Sequence, residues 1–537
     1  MTDVFGDSKL TNPVKIIDLF SGPGGLGEGF SATRNEAGNP DFKIAVSIEK
    51  EKSAHSTLLL RAFYRQFGDN VPAEYYEFLK GNLGKKPEEQ LYPLFEKQYI
   101  EAQNEARCLT LGQENKKIYK VIRKAIGNED CILIGGPPCQ AYSVVGRARN
   151  MGITGYDADE DHRNFLYLEY LKVIAKFQPM IFVMENVKGM LSAKVGGKPI
   201  FDSIYKDLKS PCTATGMKPE GERHKHNYKI FSLVTANSDD DTARDPRDFI
   251  IRTENHNIPQ RRHRVILLGI REDLAVKWNN SMLLPISNHQ ITVDKALSGM
   301  PELRSGVTKR ENNDDKWIEA VKTVSENVIP ALEASDRKEL RLVGTRMKSV
   351  LKTLQIFNDG QGSNFGTKAR KPATGNKALN EWFTDSELEG YLCNNQTRSH
   401  IVTDLHRYLF CSAWASIVDS EGWSIKTPKS HDYIKELHPN HANFTTGKFA
   451  DRFRVQIASS PATTITSHIS KDGHYFIHPD PKQCRSLTVR EAARLQTFPD
   501  NYFFVGNRTE QYVQVGNAVP PYLAFQIANT LKKILAI

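Results

Sequence analysis

The chain has 537 residues, a hydrophobic fraction of 39% and a formal net charge of +9. This length exceeds one ordinary domain and predicts two lobes. The charge is compatible with a polyanionic partner but does not by itself indicate one. No apolar run approaches the length of a bilayer span, and the polar first twelve residues lack the pattern of a signal peptide. We therefore expect a cytoplasmic protein with no membrane partner.

Seven cysteines are scattered along the chain, and none belongs to a C-x-x-C pair. The sequence therefore predicts no metal site and no thioredoxin-like motif. We expect the thiols to be reduced, as in most cytosolic proteins. A lone cysteine is most often a small buried hydrophobe, so a functional cysteine has to be recognised from the residues around it.

Short apolar runs alternate with helical stretches in the first half of the chain. The clearest helical stretch covers residues 165–174. Each run is short enough to be a buried strand. Strand alternating with helix predicts an α/β fold with a doubly wound, mostly parallel sheet. The runs lie at residues 14–20, 43–48, 131–134, 180–184 and 265–269.

The alternation stops after about residue 272, and the chain becomes mixed, charged and irregular, with a loop-like stretch at 358–372. Order returns at 485–496, where Thr488 and Glu491 form the pattern of a capping box that opens an amphipathic helix. We predict a first domain at 1–271 and a second, irregular domain at 272–480. The C-terminal segment, 481–537, is expected to return to the first domain.

A glycine-rich segment follows the first strand. Gly22, Gly24 and Gly27 fit the pattern G-x-G-x-x-G, and Glu49 ends the next strand. Glycines in that place let the backbone turn sharply beside a ligand, and the acid can accept ribose hydroxyls. A plain strand–helix turn with a solvated acid is the alternative. The pattern does not separate a dinucleotide from S-adenosylmethionine, although Pro23 favours the latter because it removes a backbone donor that a pyrophosphate would use.

Cys139 follows the strand at 131–134, at the carboxyl edge where doubly wound sheets bind their ligands. Two glycines and two prolines precede it and restrict the backbone, which is typical of a positioned thiolate rather than of a structural cysteine. Glu185 follows the strand at 180–184, so its carboxylate is expected at the same edge. The alternative for Glu185 is a solvated strand end or a helix cap.

Three arginines lie within residues 260–264, directly before the strand at 265–269. They could form a solvated face or a phosphate contact. Strand alternation, however, sends Arg262 and Arg264 to one face and Arg261 to the other. Two arginines can therefore point into one cleft.

Six motifs occur in an order that resembles the DNA cytosine-5 methyltransferases and together span nearly the whole chain. The irregular region at 272–480 lies where that family has its variable target-recognition domain. The motifs are Asp18-Leu19-Phe20-Ser21-Gly22-x-Gly24-Gly25, Pro137-Pro138-Cys139-Gln140, Glu185-Asn186-Val187, Gln260-Arg261-Arg262-His263-Arg264, Arg485-Ser486-Leu487-Thr488-x-Arg490-Glu491 and Gly516-Asn517-Ala518-Val519-Pro520.

The resemblance implies a catalytic role for four residues. Cys139 would add to carbon 6 of a cytosine that has been flipped out of the duplex, which makes carbon 5 nucleophilic. Glu185 would hydrogen-bond N3 and the exocyclic amine. Arg264 would hold O2, and Arg262 would support the site and its thiolate.

The resemblance also implies that S-adenosylmethionine is the methyl donor and that its site is built from both ends of the chain. Leu166 is the weakest member of this set, because at helical spacing it is expected to be a core residue. The implied cofactor residues are Phe20, Gly22, Gly24, Gly25, Glu49, Pro138, Leu166, Asn517, Ala518 and Val519.

Three features depart from the family pattern. Cys108 stands where family members have an Asp that meets the adenine amine of the cofactor. An extra stretch at 62–106 is predicted to be a helical insertion. A second, acidic insertion at 237–257 is predicted to be a surface loop.

The resemblance implies a double-stranded DNA partner, a monomer, and a protein found with the nucleoid. It further implies a restriction-modification role beside a separately acting endonuclease. Three rival functions are an NAD-dependent oxidoreductase, a catalytically silent DNA-binding protein and an RNA methyltransferase. The first leaves Cys139 and Glu185 without a role, the second predicts that one of them is lost, and the third predicts a compact recognition domain with a Cys-Phe-Thr signature that is absent here.

Overall fold

The computed structural model describes residues 12–138, 166–195, 198–236, 245–309, 313–421, 423, 427–439 and 453–536. Cys139 lies outside the described residues. The described chain is built on one central sheet of eight strands, five of which coincide with the five apolar runs of the sequence. The strands of this sheet are β1 (Val14–Leu19), β2 (Phe42–Glu49), β3 (Ala106–Cys108), β4 (Cys131–Gly135), β5 (Ile181–Val187), β6 (Tyr228–Phe231), β7 (Ile250–Arg252) and β8 (His263–Arg271).

The strand order is β3-β2-β1-β4-β5-β8-β6, and β7 pairs with β8. The pairs from β3 to β5 are all parallel, whereas β8 is antiparallel to β5, β6 and β7. The predicted doubly wound, mostly parallel sheet is therefore confirmed. Because parallel neighbours start at the same end, the carboxyl ends of β1, β2, β4 and β5 meet at one edge.

Helices cover both faces of the sheet. Alternate residues of each buried strand point to opposite sides, and because both sets are apolar, both faces need a covering layer. Ile16 belongs to one hydrophobic core and Ile17 to the other. The helices of the first half of the chain are α1 (Gly25–Ser31), α2 (Lys52–Arg65), α3 (Ala73–Lys80), α4 (Pro87–Gln90), α5 (Glu96–Glu105), α6 (Asn115–Ile126), α7 (Leu166–Phe177), α8 (Ile200–Lys209), α9 (Pro211–Thr215) and α10 (Glu272–Ala275).

The second half of the chain contributes a separate helical core and then returns to the sheet. Trp317, Val343 and Trp414 are buried in that separate core. Residues at both ends of the predicted second domain, such as Val293 and Ile465, are buried in a sheet core instead. The remaining helices are α11 (Val293–Ala296), α12 (Asp314–Lys322), α13 (Val324–Glu333), α14 (Lys338–Lys352), α15 (Lys377–Phe383), α16 (Val402–Glu421), α17 (Val489–Leu495), α18 (Arg508–Asn517) and α19 (Pro521–Leu535).

Within the described ranges, four pairs of two-residue strands lie outside the central sheet. They pair Lys194–Val195 with Lys198–Pro199, Gln260–Arg261 with Ala462–Thr463, Gly306–Val307 with Ser399–His400, and Thr367–Lys368 with Tyr391–Leu392.

The capping box predicted at Thr488 is present. The Thr488 hydroxyl accepts a hydrogen bond from the Glu491 amide at 3.1 Å, and the Glu491 carboxylate accepts one from the Thr488 amide at 2.7 Å. Both donors would otherwise be unpaired at the start of α17. The prediction is confirmed because a capping box depends only on residues three positions apart.

The two insertions behave differently. The stretch at 62–106 is helical, as predicted, and contains α3, α4 and α5. The prediction of a surface loop at 237–257 is wrong for its described part, 245–257. There β7 pairs with β8, and Phe249 and Ile251 are fully buried. The acidic residues 238–241 favour a surface position in the sequence. The apolar residues Phe249 and Ile251, which follow them, are instead buried where β7 extends the sheet.

Among the described residues, no helix combines the length and the apolar character needed to cross a bilayer.

Candidate active site

The glycine turn after β1 bends sharply and lies against the carboxylate of Glu49. Phe20, Gly22 and Gly24 have φ values of 55°, 56° and 101°, a region that glycine enters at little cost. The Gly22 amide donates a hydrogen bond to the Glu49 carboxylate at 2.8 Å, and the Glu51 amide donates another at 2.7 Å. Burial raises the pKa of Glu49. A carboxylate has about four acceptor positions, so Glu49 can still accept a ligand hydroxyl.

The C-terminal return segment packs directly on this turn. A Cβ atom on Gly25 would overlap the carbonyl oxygen of Val519, so only glycine allows this approach. Ala518 and Val519 are buried, and Asn517, the last residue of α18, is exposed. The glycine turn and the C-terminal return segment are therefore in direct backbone contact, which is the arrangement that the resemblance implies.

Asp18 lies beneath the glycine turn and is fully buried. Neither of its carboxyl oxygens has a hydrogen-bond partner among the described residues. The Ser21 hydroxyl donates to the Asp18 backbone carbonyl rather than to the side chain. Burial raises the pKa of Asp18 to about 7. An unpaired buried carboxyl group is costly in its charged form and is more stable with a proton bound.

Asp18→Asn is expected to remove a pH-dependent loss of stability. Burial raises the pKa of Asp18 from 3.8 to about 7, so the folded wild type keeps a proton that the unfolded chain releases. Its free energy of unfolding therefore falls as the pH rises from about 4 to about 7, by up to about 4 kcal/mol. Denaturant unfolding at pH 4 and pH 8 should show equal stabilities at pH 4 and a more stable variant at pH 8. An unchanged difference between the two proteins across this range would contradict the assignment.

Cys108 is placed at the edge of the same pocket. It pairs in register with Glu49 between β3 and β2, and the Leu109 amide donates to the Glu49 carbonyl oxygen at 3.0 Å. Its side chain is exposed, and burial of the region raises the pKa of the thiol. Cys108 therefore lies beside Glu49 at the edge of the sheet.

The segment that leads to Cys139 is held against the end of β5. A Cβ atom on Gly136 would lie 2.8 Å from Glu185 Oε2, so the missing side chain lets the backbone pass beside this carboxylate. The Asn186 amide group donates to the Pro137 carbonyl oxygen at 3.2 Å. Pro138, half-buried, is the last residue described before Cys139. The structure thus ties the approach to Cys139 to the Glu185–Asn186 segment.

Glu185 is paired with Arg264. Arg264 Nε lies 2.8 Å from Glu185 Oε1, and both side chains are about one-eighth exposed, at 13%. Burial lowers the pKa of Arg264, and the Glu185 carboxylate opposes that shift. The pair aligns because Arg264 lies opposite Val187 on the antiparallel β8, next to the end of β5. A hydrogen-bonding carboxylate and a cation therefore share one edge of the sheet.

Arg262 does not join this pair. It is 2% exposed, and its guanidinium donates to the carbonyl oxygens of Ile465, at 2.6 Å, and Gly516, at 3.1 Å. The neighbouring Gln260 also reaches this segment, because its side-chain oxygen accepts from the Ile465 amide at 3.0 Å. Arg262 thus fastens the segment before Asn517 to the sheet.

The structure brings most of the predicted site residues to one edge of the sheet, whereas Leu166 is a buried residue at the start of α7. Three residues that contribute to this edge were not predicted: Asp18, Gly136 and Asn186. Asp18 had a usable signal, since it is a charged residue inside an otherwise apolar strand. Gly136 and Asn186 lie in segments that the sequence singled out, but their contacts depend on how β4 and β5 pair. Within the described ranges, no group of three or more His, Cys, Asp or Glu residues is placed to hold a metal ion.

The candidate site therefore has a glycine turn and an acid at one part of the edge of a doubly wound sheet, and a glutamate–arginine pair at another. The family model for the C-5 cytosine-specific DNA methylases matches residues 101–211 and 249–533. The chain belongs to this family, and it is a DNA (cytosine-5-)-methyltransferase.

Curated relatives match along the chain. The Type II methyltransferase M.Bpa9945I of Bacillus paralicheniformis is 30% identical and covers 97% of this chain and 99% of its own length. The DNA (cytosine-5-)-methyltransferase M.ApeKI of Aeropyrum pernix is 24% identical over 75% of this chain and 81% of its own length. A solved E. coli structure, assigned as a DNA modification methyltransferase encoded within a prophage, covers 98% of this chain and 100% of its own, with 18% identity and a TM-score of 0.49.

Proposed function

We propose that this chain methylates carbon 5 of a flipped-out cytosine within a specific double-stranded DNA sequence, through a covalent adduct of Cys139 at carbon 6. The observation that carries the proposal is the Glu185–Arg264 pair beside the glycine–proline segment that leads to Cys139. It supplies a carboxylate and a cation at the place where a reactive thiol would meet a planar base.

The chemistry requires each of these groups. The Cys139 thiolate forms a bond to carbon 6, and the electrons of the carbon 5–carbon 6 double bond move to carbon 5. Glu185 hydrogen-bonds N3 and the exocyclic amine as charge develops on the ring, and Arg264 holds O2. After methyl transfer a base removes the proton from carbon 5, the double bond re-forms, and the thiolate leaves.

S-adenosylmethionine, when bound, supplies an electrophilic methyl group on its sulfonium. The residues present fit this cofactor. Glu49 retains acceptor positions for ribose hydroxyls, and the close approach of Gly25 to Val519 forms one side of the pocket from backbone atoms. Phe20, Gly22, Gly24, Pro138, Asn517 and Ala518 would complete the pocket. Leu166 remains a weaker candidate, and Arg262 would act on the pocket by holding Gly516.

Residues 1–271 and 481–537 would form the catalytic part, and residues 272–480 would recognise the target. The curated relatives are named as Type II methyltransferases, which supports a restriction-modification role beside a separately acting endonuclease. We propose that the protein acts as a monomer on duplex DNA.

Gly25→Ala is expected to weaken S-adenosylmethionine binding by about tenfold or more, because the new methyl group would push the Val519 backbone away from the turn. Isothermal titration with S-adenosylmethionine and with NAD measures this directly. Gly127→Ala is the control: it adds the same methyl group away from the turn, with φ +60° and open space at the Cβ position, and it should leave the affinity for S-adenosylmethionine unchanged. Tight NAD binding by the wild type would support the oxidoreductase instead.

Bisulfite sequencing of DNA from cells that express the protein tests the function itself. We expect new 5-methylcytosine at one recurring sequence, and none in cells that express Cys139→Ser. Absence of new 5-methylcytosine with a folded wild-type protein would contradict the proposal, and methylation confined to RNA would favour the RNA-directed alternative.

A further inference from the structure

The helical insertion at 62–106 packs between the catalytic part and residues 364–396. It shares one hydrophobic core with α2, with Leu388 and Cys393, and with Phe503 of the C-terminal segment. Phe78 of α3 contacts Phe365 and Phe503 with ring centroids 5.8 and 5.6 Å apart. An insertion that only extended the surface would not bury residues from three separate parts of the chain.

The base of the insertion is anchored by buried charges. Arg61 donates to Glu28 of α1, and Arg65 pairs with Glu105 at the end of α5. All four side chains are at most 13% exposed. Removing one partner of such a pair leaves an uncompensated buried charge, so this end is held firmly to the catalytic part.

The far end of the insertion makes polar contacts with the second half of the chain. The Tyr76 hydroxyl donates to Asp385 Oδ2 at 3.0 Å, and Lys80 Nζ lies 2.8 Å from a Glu389 carboxylate oxygen. The Cys393 thiol donates to the Leu79 carbonyl oxygen at 3.3 Å. These contacts all involve the last two turns of α3.

The two backbones also approach closely at this end. A Cβ atom on Gly366, which has φ +62°, would overlap the Lys80 carbonyl oxygen. The loop that contains Gly366 continues into a pair of backbone hydrogen bonds, from Asn394 to Asn364 and from Asn395 to Ser363. Insertion and loop are therefore in contact without an intervening layer of side chains.

The loop supports an amide-rich segment that is held from its other side by the catalytic part. The Arg490 amide donates to the Asn394 carbonyl oxygen at 2.9 Å, and the Thr488 hydroxyl donates to the Asn395 side chain at 2.8 Å. Asn364, Asn394 and Gln396 line a cavity of about 210 Å³, and Gln396 is exposed. The Asn394 side chain is buried and hydrogen-bonded to Asn364 and to the Phe504 backbone, so Gln396 is the side chain of the three that is placed to offer an amide to the edge of a base.

We propose that the insertion is a positioning element for target recognition: α3 holds residues 364–396 at a fixed place relative to the catalytic pocket. This inference rests on the proposed function, which assigns residues 272–480 to DNA recognition. Loosening the contact lets this segment leave its DNA-binding position for part of the time. The apparent affinity for duplex DNA then falls in proportion to the competent fraction, while the chemistry in the assembled complex is unchanged.

The test uses the full-length protein and two duplexes, one with the target mapped by bisulfite sequencing and one with a single base pair of that target changed. Gly366→Ala should raise KM for the target duplex about tenfold and lower the preference for it over the altered duplex. Tyr76→Phe, which removes only the hydroxyl, should raise KM about fivefold. In both variants kcat and the Kd for S-adenosylmethionine should stay within about twofold of the wild type.

Two controls separate position from strain and charge. Gly216→Ala has a similar φ of +67° and open space at its Cβ position, and Lys86→Ala removes an exposed lysine of the same insertion that pairs only locally with Glu89. Both should leave KM and target preference unchanged. An unchanged KM in Gly366→Ala and Tyr76→Phe would overturn the proposal, and so would an equal loss of kcat and cofactor affinity. A wild type without any methylation would refute the proposed function rather than this inference.

Discussion

Cys139→Ser is expected to lower the rate of DNA methylation by about four orders of magnitude or more, because a hydroxyl is not ionised near neutral pH and adds poorly to carbon 6. Binding of S-adenosylmethionine should stay within about twofold of the wild type, since the proposed cofactor site is built on the glycine turn and the Val519 segment. Single-turnover methylation of the mapped target and isothermal titration measure the two quantities.

Cys484→Ser provides the matched control for this change. Cys484 is a buried cysteine, and its thiol donates to the Pro481 carbonyl oxygen at 3.2 Å, a contact that a serine hydroxyl can retain. A duplex with 5-fluorocytosine at the target gives a second readout, because a fluorine on carbon 5 cannot be removed as a proton. It should trap the wild type and Cys484→Ser as covalent complexes but not Cys139→Ser. Near-normal turnover by Cys139→Ser would refute the assignment of Cys139 as the nucleophile.

Glu185→Gln is expected to lower kcat by about a hundred- to a thousandfold, with KM for duplex DNA and the Kd for S-adenosylmethionine changed only a few-fold. Glutamine keeps the shape of the side chain. It cannot hold the charge-assisted contact to Arg264 Nε at 2.8 Å, and it cannot stabilise a ring that gains a proton at N3. Steady-state kinetics on the mapped target separate kcat from KM.

Glu254→Gln controls for the loss of a buried glutamate partner in general. Glu254 is 7% exposed and lies 2.9 Å from His263, which precedes Arg264 on the same strand. It should lower the melting temperature about as much as Glu185→Gln does but leave kcat within about threefold. Equal kcat losses in the two variants would mean that Glu185 acts through stability rather than through the reaction.

Five of the eight sheet strands, the capping box and the glycine turn could be predicted from the sequence, because each depends on residues close together in the chain. The Ile16–Ile17 alternation sets the two faces of β1, and Thr488 needs only Glu491 to cap α17. The pairing of Gly22 with Glu49 follows in the same way, since successive parallel strands place their carboxyl ends side by side.

The roles of the two inward arginines were decided by tertiary structure. Both were expected in one cleft, yet Arg264 pairs with Glu185 and Arg262 holds Ile465 and Gly516. The difference depends on which distant segment packs beside each guanidinium, and no periodicity in the sequence carries that information. The insertion at 237–257 was misjudged for the same reason, because Phe249 and Ile251 are buried only by β8 and its neighbours.

The order of six motifs in the sequence is by itself enough to identify a cytosine-5 methyltransferase. Only the tertiary structure decided which distant segments are in contact. Gly25 packs against Val519, and Gly366 packs against the end of α3. Chemistry is encoded in short motifs because reacting groups need specific residue types. Positioning arises from contacts between segments far apart in the chain, which form only when the whole fold is assembled.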